Sequence, residues 1–147
     1  MKIHDELKLE YFVEELDKDK NFLESINESI QKNKIFKKRK FNSIYEFSVY
    51  RNFIYSLIRN KNPKIIVETG VLHGLTSAWI LKALKDNGGG KLISIDLPRR
   101  EWKDHFGDKP FGPGGDAEFE LAEQNPGWVI PEDLLKLWEL YLGPSSQ

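Results

Sequence analysis

The segment IIVETGVLHGLTSA, Ile65 to Ala78, decides how this chain folds. KIIV, Lys64 to Val67, is short and β-branched, which reads as a buried strand. Glu68 then stands at the strand tip, facing the crevice, and Gly70 and Gly74 allow a sharp turn whose backbone approaches a ligand with no Cβ in the way. Thr76 or Ser77 is placed to cap a helix over Thr76 to Asn87, in which Ala78, Ile80, Leu81, Ala83 and Leu84 are apolar and Lys82, Lys85 and Asp86 polar.

Working outward, Gly88, Gly89 and Gly90 stop that helix, and KLISID, Lys91 to Asp96, reads as a second strand. Strand, helix and strand joined by short loops make a right-handed βαβ unit, the seed of a parallel doubly wound sheet. Upstream, residues 5–31 carry apolar residues at helical spacing with a break at Asp17 to Lys20. Ser43 with Glu46 forms a capping-box pattern for a helix that ends in RNKNP, Arg59 to Pro63. Downstream, residues 97–131 form an irregular excursion with a short helix expected at Asp116 to Gln124. PEDLLKL, Pro131 to Leu137, is a short helix, and WELYLG, Trp138 to Gly143, a third strand. The expected architecture is α/β: a Rossmann-like doubly wound parallel sheet, truncated after about three strands, with N-terminal helices. Residues 1–42 form the helical segment and a basic linker, and residues 43–147 the cofactor-binding half.

Composition narrows the function classes. The 147 residues carry 22 Lys plus Arg against 23 Asp plus Glu, a net charge of -1 that gives no whole-molecule field for nucleic acid or an anionic membrane. KIFKKRKF, Lys34 to Phe41, is the strongly basic patch and reads as a solvated linker. With no cysteine, disulfide frameworks, thiolate nucleophiles and Cys-ligated zinc are excluded together. The N-terminus MKIHDELKLE lacks a secretory apolar core, and no apolar run approaches the ~20 residues that span a bilayer. A cytoplasmic location is the expectation.

The strand tip is where the chemistry gathers. In a doubly wound sheet the helix after the first strand aims its N-terminal amides and positive dipole end into the crevice. Asp96 ends the second strand about 20 residues beyond the glycine turn, where an acid accepts hydrogen bonds from the hydroxyls of a ribose and disfavours a 2′-phosphate.

VETGVLHG, Val67 to Gly74, followed by LISIDLP, Leu92 to Pro98, resembles the first two motifs of class I S-adenosylmethionine-dependent methyltransferases, within the small-molecule branch that also contains cephalosporin hydroxylase-like proteins. GWVIP, Gly127 to Pro131, and WELYLG resemble the segment leading to that group's third strand. The resemblance implies S-adenosylmethionine as cofactor and methyl transfer to an oxygen or nitrogen of a small molecule. It implies that Glu68 holds the cofactor's amine, that Thr69, Gly70, His73, Gly74, Thr76 and Ser77 form the cofactor loop and helix start, and that Asp96 binds the ribose. Leu72 stands where the family's middle glycine falls, and Pro144 where an adenine-binding acid is usual. A complete fold of this class has further strands, so the chain resembles its cofactor-binding half. An apolar edge along Lys64 to Val67 then favours a homo-oligomer.

Two other readings stand beside this one: a non-catalytic remnant or interaction module, favoured by Pro144, and an NAD-binding oxidoreductase fragment, disfavoured by the missing G-x-G-x-x-G. Asp104, His105 and Asp108 match no defined metal spacing. Trp102, Phe106, Phe111 and Trp128 either anchor the excursion or cover an aromatic group, and Arg99 and Arg100 read as an exposed pair.

Overall fold

A computed structural model describes residues 9–32, 48–97 and 125–143. The basic run, the Asp116 to Gln124 helix, the Asp104, His105 and Asp108 group, Arg99, Arg100, Trp102, Phe106, Phe111 and Pro144 lie outside these residues.

Among the described residues, three strands form one parallel sheet in the order β1-β2-β3: β1 is Ile65–Thr69, β2 Lys91–Asp96 and β3 Trp138–Leu142. Ile65 pairs with Lys91 and Leu92 with Trp138. That register lines up the ends of β1 and β2. The sheet is Rossmann-like, and its step from β1 to β2 is made through the helix Leu75–Asp86.

Helices α1 (Leu9–Lys18), α2 (Lys20–Lys32), α3 (Ser48–Lys61) and α4 (Leu75–Asp86) supply the rest, with a 3-10 helix at Glu132–Leu137. Asp19 separates α1 from α2 and caps the latter through its Oδ1, which accepts from Phe22 N–H at 3.1 Å. Asn62, at φ 48°, ends α3 just past Lys61, so the helix runs three residues, Arg59 to Lys61, into the RNKNP segment.

Helix α4 is buried on every side from Ser77 to Leu84 because the sheet, α2, α3 and the 3-10 helix surround it. Phe22 meets Trp79 edge-on at 5.0 Å, and Tyr55, Leu81, Leu84 and Leu92 are fully buried beside it.

An ion network fastens α1 and α2 to this core. Arg59 makes a two-pronged contact with Glu15, with Nε to Oε1 and Nη2 to Oε2 both at 3.0 Å. The buried Lys82 ammonium reaches Asp86 at 2.6 Å and Asp19 at 2.9 Å. Between them the Tyr55 hydroxyl lies 2.7 Å from Glu15 Oε1 and 2.6 Å from Asp86 Oδ2. Burial, then the flanking Asp86 and Glu15 carboxylates, push this phenol far above its ordinary range.

The other sheet face differs. Ile65 and Val67 are 63% and 59% exposed, and Thr69 and Tyr141 are exposed on the same face. Among the described residues, helices cover only the face carrying Ile66, Glu68, Leu92, Ser94 and Asp96.

Candidate functional site

The tips of β1 and β2 meet the start of α4 at the loop 70–74. Gly70 extends the sheet by donating its N–H to Ile95 O at 2.8 Å. It then takes φ 80°, a left-handed conformation that suits glycine. Leu72 also sits at φ 52°. The position where the family's glycine falls thus keeps a glycine-like backbone while carrying a leucine, at a cost of about 1 kcal/mol or more.

Glu68 is tethered beneath the first turn of α4. Its Oε1 accepts from Ser77 Oγ and from Ser94 Oγ, both at 2.6 Å. Ser94 Oγ in turn accepts from Trp138 Nε1 at 2.6 Å. Ser94 is the register partner of Glu68 on β2, and Trp138 lies diagonally across on β3, so one hydrogen-bonded chain crosses all three strands. Burial pushes the Glu68 carboxyl above its ordinary range, the Asp96 charge adds to this, and the two serine hydroxyls oppose it. Glu68 is half-buried on the helix-covered face because strand alternation points it with Ile66 toward α4.

Asp96 is 5% exposed. Its Oδ2 accepts from the N–H groups of Val71 at 3.0 Å and Leu72 at 3.2 Å, and its Oδ1 from Leu97 N–H at 2.8 Å. This carboxylate therefore clamps the loop onto the tip of β2. A carboxylate has about four acceptor sites, so three amide donors leave roughly one for a ribose hydroxyl.

The two glycines have different jobs. A Cβ on Gly70 would meet nothing within 4 Å, whereas on Gly74 (φ 87°) it would come within 2.6 Å of Gly127 Cα and 2.8 Å of an Ile130 side-chain carbon. Gly70 keeps the approach open, and Gly74 lets the turn at residues 126–129 dock under the loop. That docking is hydrogen-bonded: Gly127 N–H donates to Leu72 O at 3.0 Å and Val129 N–H to His73 O at 3.1 Å. The His73 ring packs edge-on against Trp128 with centroids 5.8 Å apart.

Neither Thr76 nor Ser77 caps α4. Gly74 in the left-handed conformation is the N-cap, and among the described residues no side-chain cap bonds the helix start. Thr76 and Ser77 lie past the cap position, inside the first turn, and the Ser77 hydroxyl donates to Glu68. Thr69 is exposed at the end of β1 and Thr76 half-buried in the first turn of α4. The structure thus brings Glu68, Gly70, Ser77 and Asp96 to one place, with His73 and Gly74 on the side packed against the 126–129 turn. Sequence reasoning missed Ser94 and Trp138. The signal for Ser94 was a polar residue between Leu92 and Asp96 on the buried face of β2.

The fold and site define a Rossmann-like α/β domain with an acid-bearing strand, a glycine turn and a helix that starts at a left-handed glycine. A family model described as Methyltransferase domain matches residues 67–147, more than half of the chain. The chain belongs to this methyltransferase domain family. No curated protein and no solved structure matches it. No helix among the described residues is long and apolar enough to cross a membrane.

Proposed function

We propose that the loop 70–74 binds S-adenosylmethionine and that the domain serves methyl transfer to an oxygen or nitrogen of a small molecule. The observation that carries this is Glu68: Ser77 and Ser94 hold one carboxylate oxygen, and among the described residues no group donates to the other. An acceptor fixed in this way beside the open Gly70 suits an ammonium group. The uncapped amides at the start of α4 suit the carboxylate of the same amino-acid moiety. Asp96 would offer its remaining acceptor site to one ribose hydroxyl. When bound, the cofactor supplies an electrophilic methyl on a sulfonium, and the protein's part is to align it with the nucleophile.

A second reading is an interaction module that keeps the fold without the chemistry. It is favoured by the burial of Asp96 and the use of its carboxylate by three backbone amides.

Calorimetric titration of the full chain with S-adenosylmethionine, S-adenosylhomocysteine and NAD, beside Glu68→Ala, separates the readings. Binding of the first two that is lost in the variant supports the methyltransferase reading. Binding of none moves the choice to the interaction module, and binding of NAD alone to a dinucleotide site.

A further inference from the structure

We infer that Ser94 and Trp138 are positioning residues for the cofactor's amino-acid moiety, acting through Glu68, an inference that rests on the cofactor reading above. The basis is geometric. Trp138 Nε1–H donates to Ser94 Oγ, which leaves the Ser94 proton with one direction, toward Glu68 Oε1; each of these contacts is 2.6 Å. Ser94 is fully buried, so no water competes for its hydroxyl. Ser77, almost fully buried on α4, donates to the same Oε1 from the helix side. Two donors on one oxygen fix the rotation of the carboxylate and turn Oε2 away from both.

The chain also explains two polar groups that the fold alone does not require. A buried serine on the covered face of a parallel strand displaces an apolar residue that would pack against α4. A tryptophan there needs a partner for its N–H. Each satisfies the other, and the remaining hydrogen-bonding capacity is delivered to Glu68. Donors to the charged form also oppose the desolvation, and the field of Asp96 on β2, that together push this buried carboxyl up. The facing group from α4 is the neutral Ser77 hydroxyl, and β3 reaches the carboxylate only through Trp138 and Ser94.

The test compares two ligands that share the adenosine and differ in the amino-acid moiety: S-adenosylhomocysteine, and methylthioadenosine, which lacks it. Dissociation constants of both are measured from pH 5 to 9 for the full chain, Ser94→Ala and Trp138→Phe. In Ser94→Ala, binding of S-adenosylhomocysteine weakens about tenfold, the order expected for losing one hydrogen bond to a charged group. Its acid midpoint moves to higher pH, because the ionised carboxylate has lost a donor. Trp138→Phe moves the midpoint the same way by less, since the serine hydroxyl is retained but less polarised. Methylthioadenosine binds all three proteins alike, which also shows that the variants are folded.

Equal weakening of both ligands would make Ser94 and Trp138 structural residues only and overturn the inference. So would an unmoved midpoint. If the unaltered chain binds methylthioadenosine but not S-adenosylhomocysteine, the role of Glu68 falls together with that of its supports. If it binds neither, the cofactor reading itself fails.

Discussion

Gly70 and Gly74 have the same left-handed backbone and opposite surroundings, so alanine at each position should separate strain from packing. Placing a Cβ at φ 80° or 87° costs about 1–2 kcal/mol in either case. At Gly70 there is no further penalty, since nothing lies within 4 Å. At Gly74 the new carbon falls 2.6 Å from a backbone atom, Gly127 Cα, about 1 Å inside the ordinary carbon contact of ~3.5–4.0 Å. Relieving that overlap means moving the 126–129 turn, which is tied to Leu72 and His73 by two hydrogen bonds. Overpacking of this kind adds about 1–3 kcal/mol. Gly74→Ala should therefore lose about 3 kcal/mol in urea unfolding and Gly70→Ala about 1–2 kcal/mol. Ligand binding should show the reverse order, because the Gly70 Cβ enters the open approach. Equal stability losses, or a larger loss at Gly70, would refute the division of roles.

Three further outcomes follow from the same structure. Burial opposes ionisation of Glu15 and Asp19, but hydrogen bonds from Arg59 and Tyr55 to the former, and from Lys82 and the Phe22 amide to the latter, outweigh it and hold both carboxyls below their ordinary ranges. A depressed folded value means stability present above the unfolded values of 4.5 and 3.8 and lost as pH falls through the folded ones; thermal melts from pH 6 to 2 should show that loss, and Lys82→Met should cost about 2 kcal/mol or more at neutral pH. Glu68 has the opposite sign: its folded value is raised, so its ionisation destabilises the fold as pH rises from 4.5 through that value, and Glu68→Gln should unfold at an equal or higher temperature at pH 8 while binding S-adenosylhomocysteine less well. The edge of β1, unpaired among the described residues and bearing exposed Ile65 and Val67, should associate with a second copy, read as a dimer by light scattering at micromolar concentration and reversed by Val67→Lys; a strict monomer contradicts it.

Much of the βαβ unit was legible because its punctuation is strong. Three glycines and a terminal acid bracket β2, whose limits match the sequence reading residue for residue. For β1 the polar Glu68 and Thr69 hid two residues of pairing, to Ser94 and Ile95, since periodicity cannot reveal which polar residues a neighbouring strand captures. The cap of α4 was misread for a related reason: Thr76 and Ser77 have capping side chains, but the cap position is set by the left-handed Gly74. PEDLLKL was read as a helix and is a 3-10 turn of six residues, too short for i to i−4 bonding to prevail. The clamp made by Asp96 and the Trp138, Ser94 and Glu68 chain depend on strand order and register, which the sequence encodes only through the assembled sheet.

The central claim is that the end of β1 and the start of α4 hold the amino-acid end of a cofactor. Titrating isotope-labelled chain with S-adenosylhomocysteine while following backbone amide resonances addresses it most directly. The account predicts shifts concentrated at Glu68 to Leu72 and Leu75 to Ser77, abolished in Glu68→Ala. Shifts confined to other surfaces, such as the open groove between α2 and Ile130 to Asp133, or no shifts at saturating ligand, would contradict it.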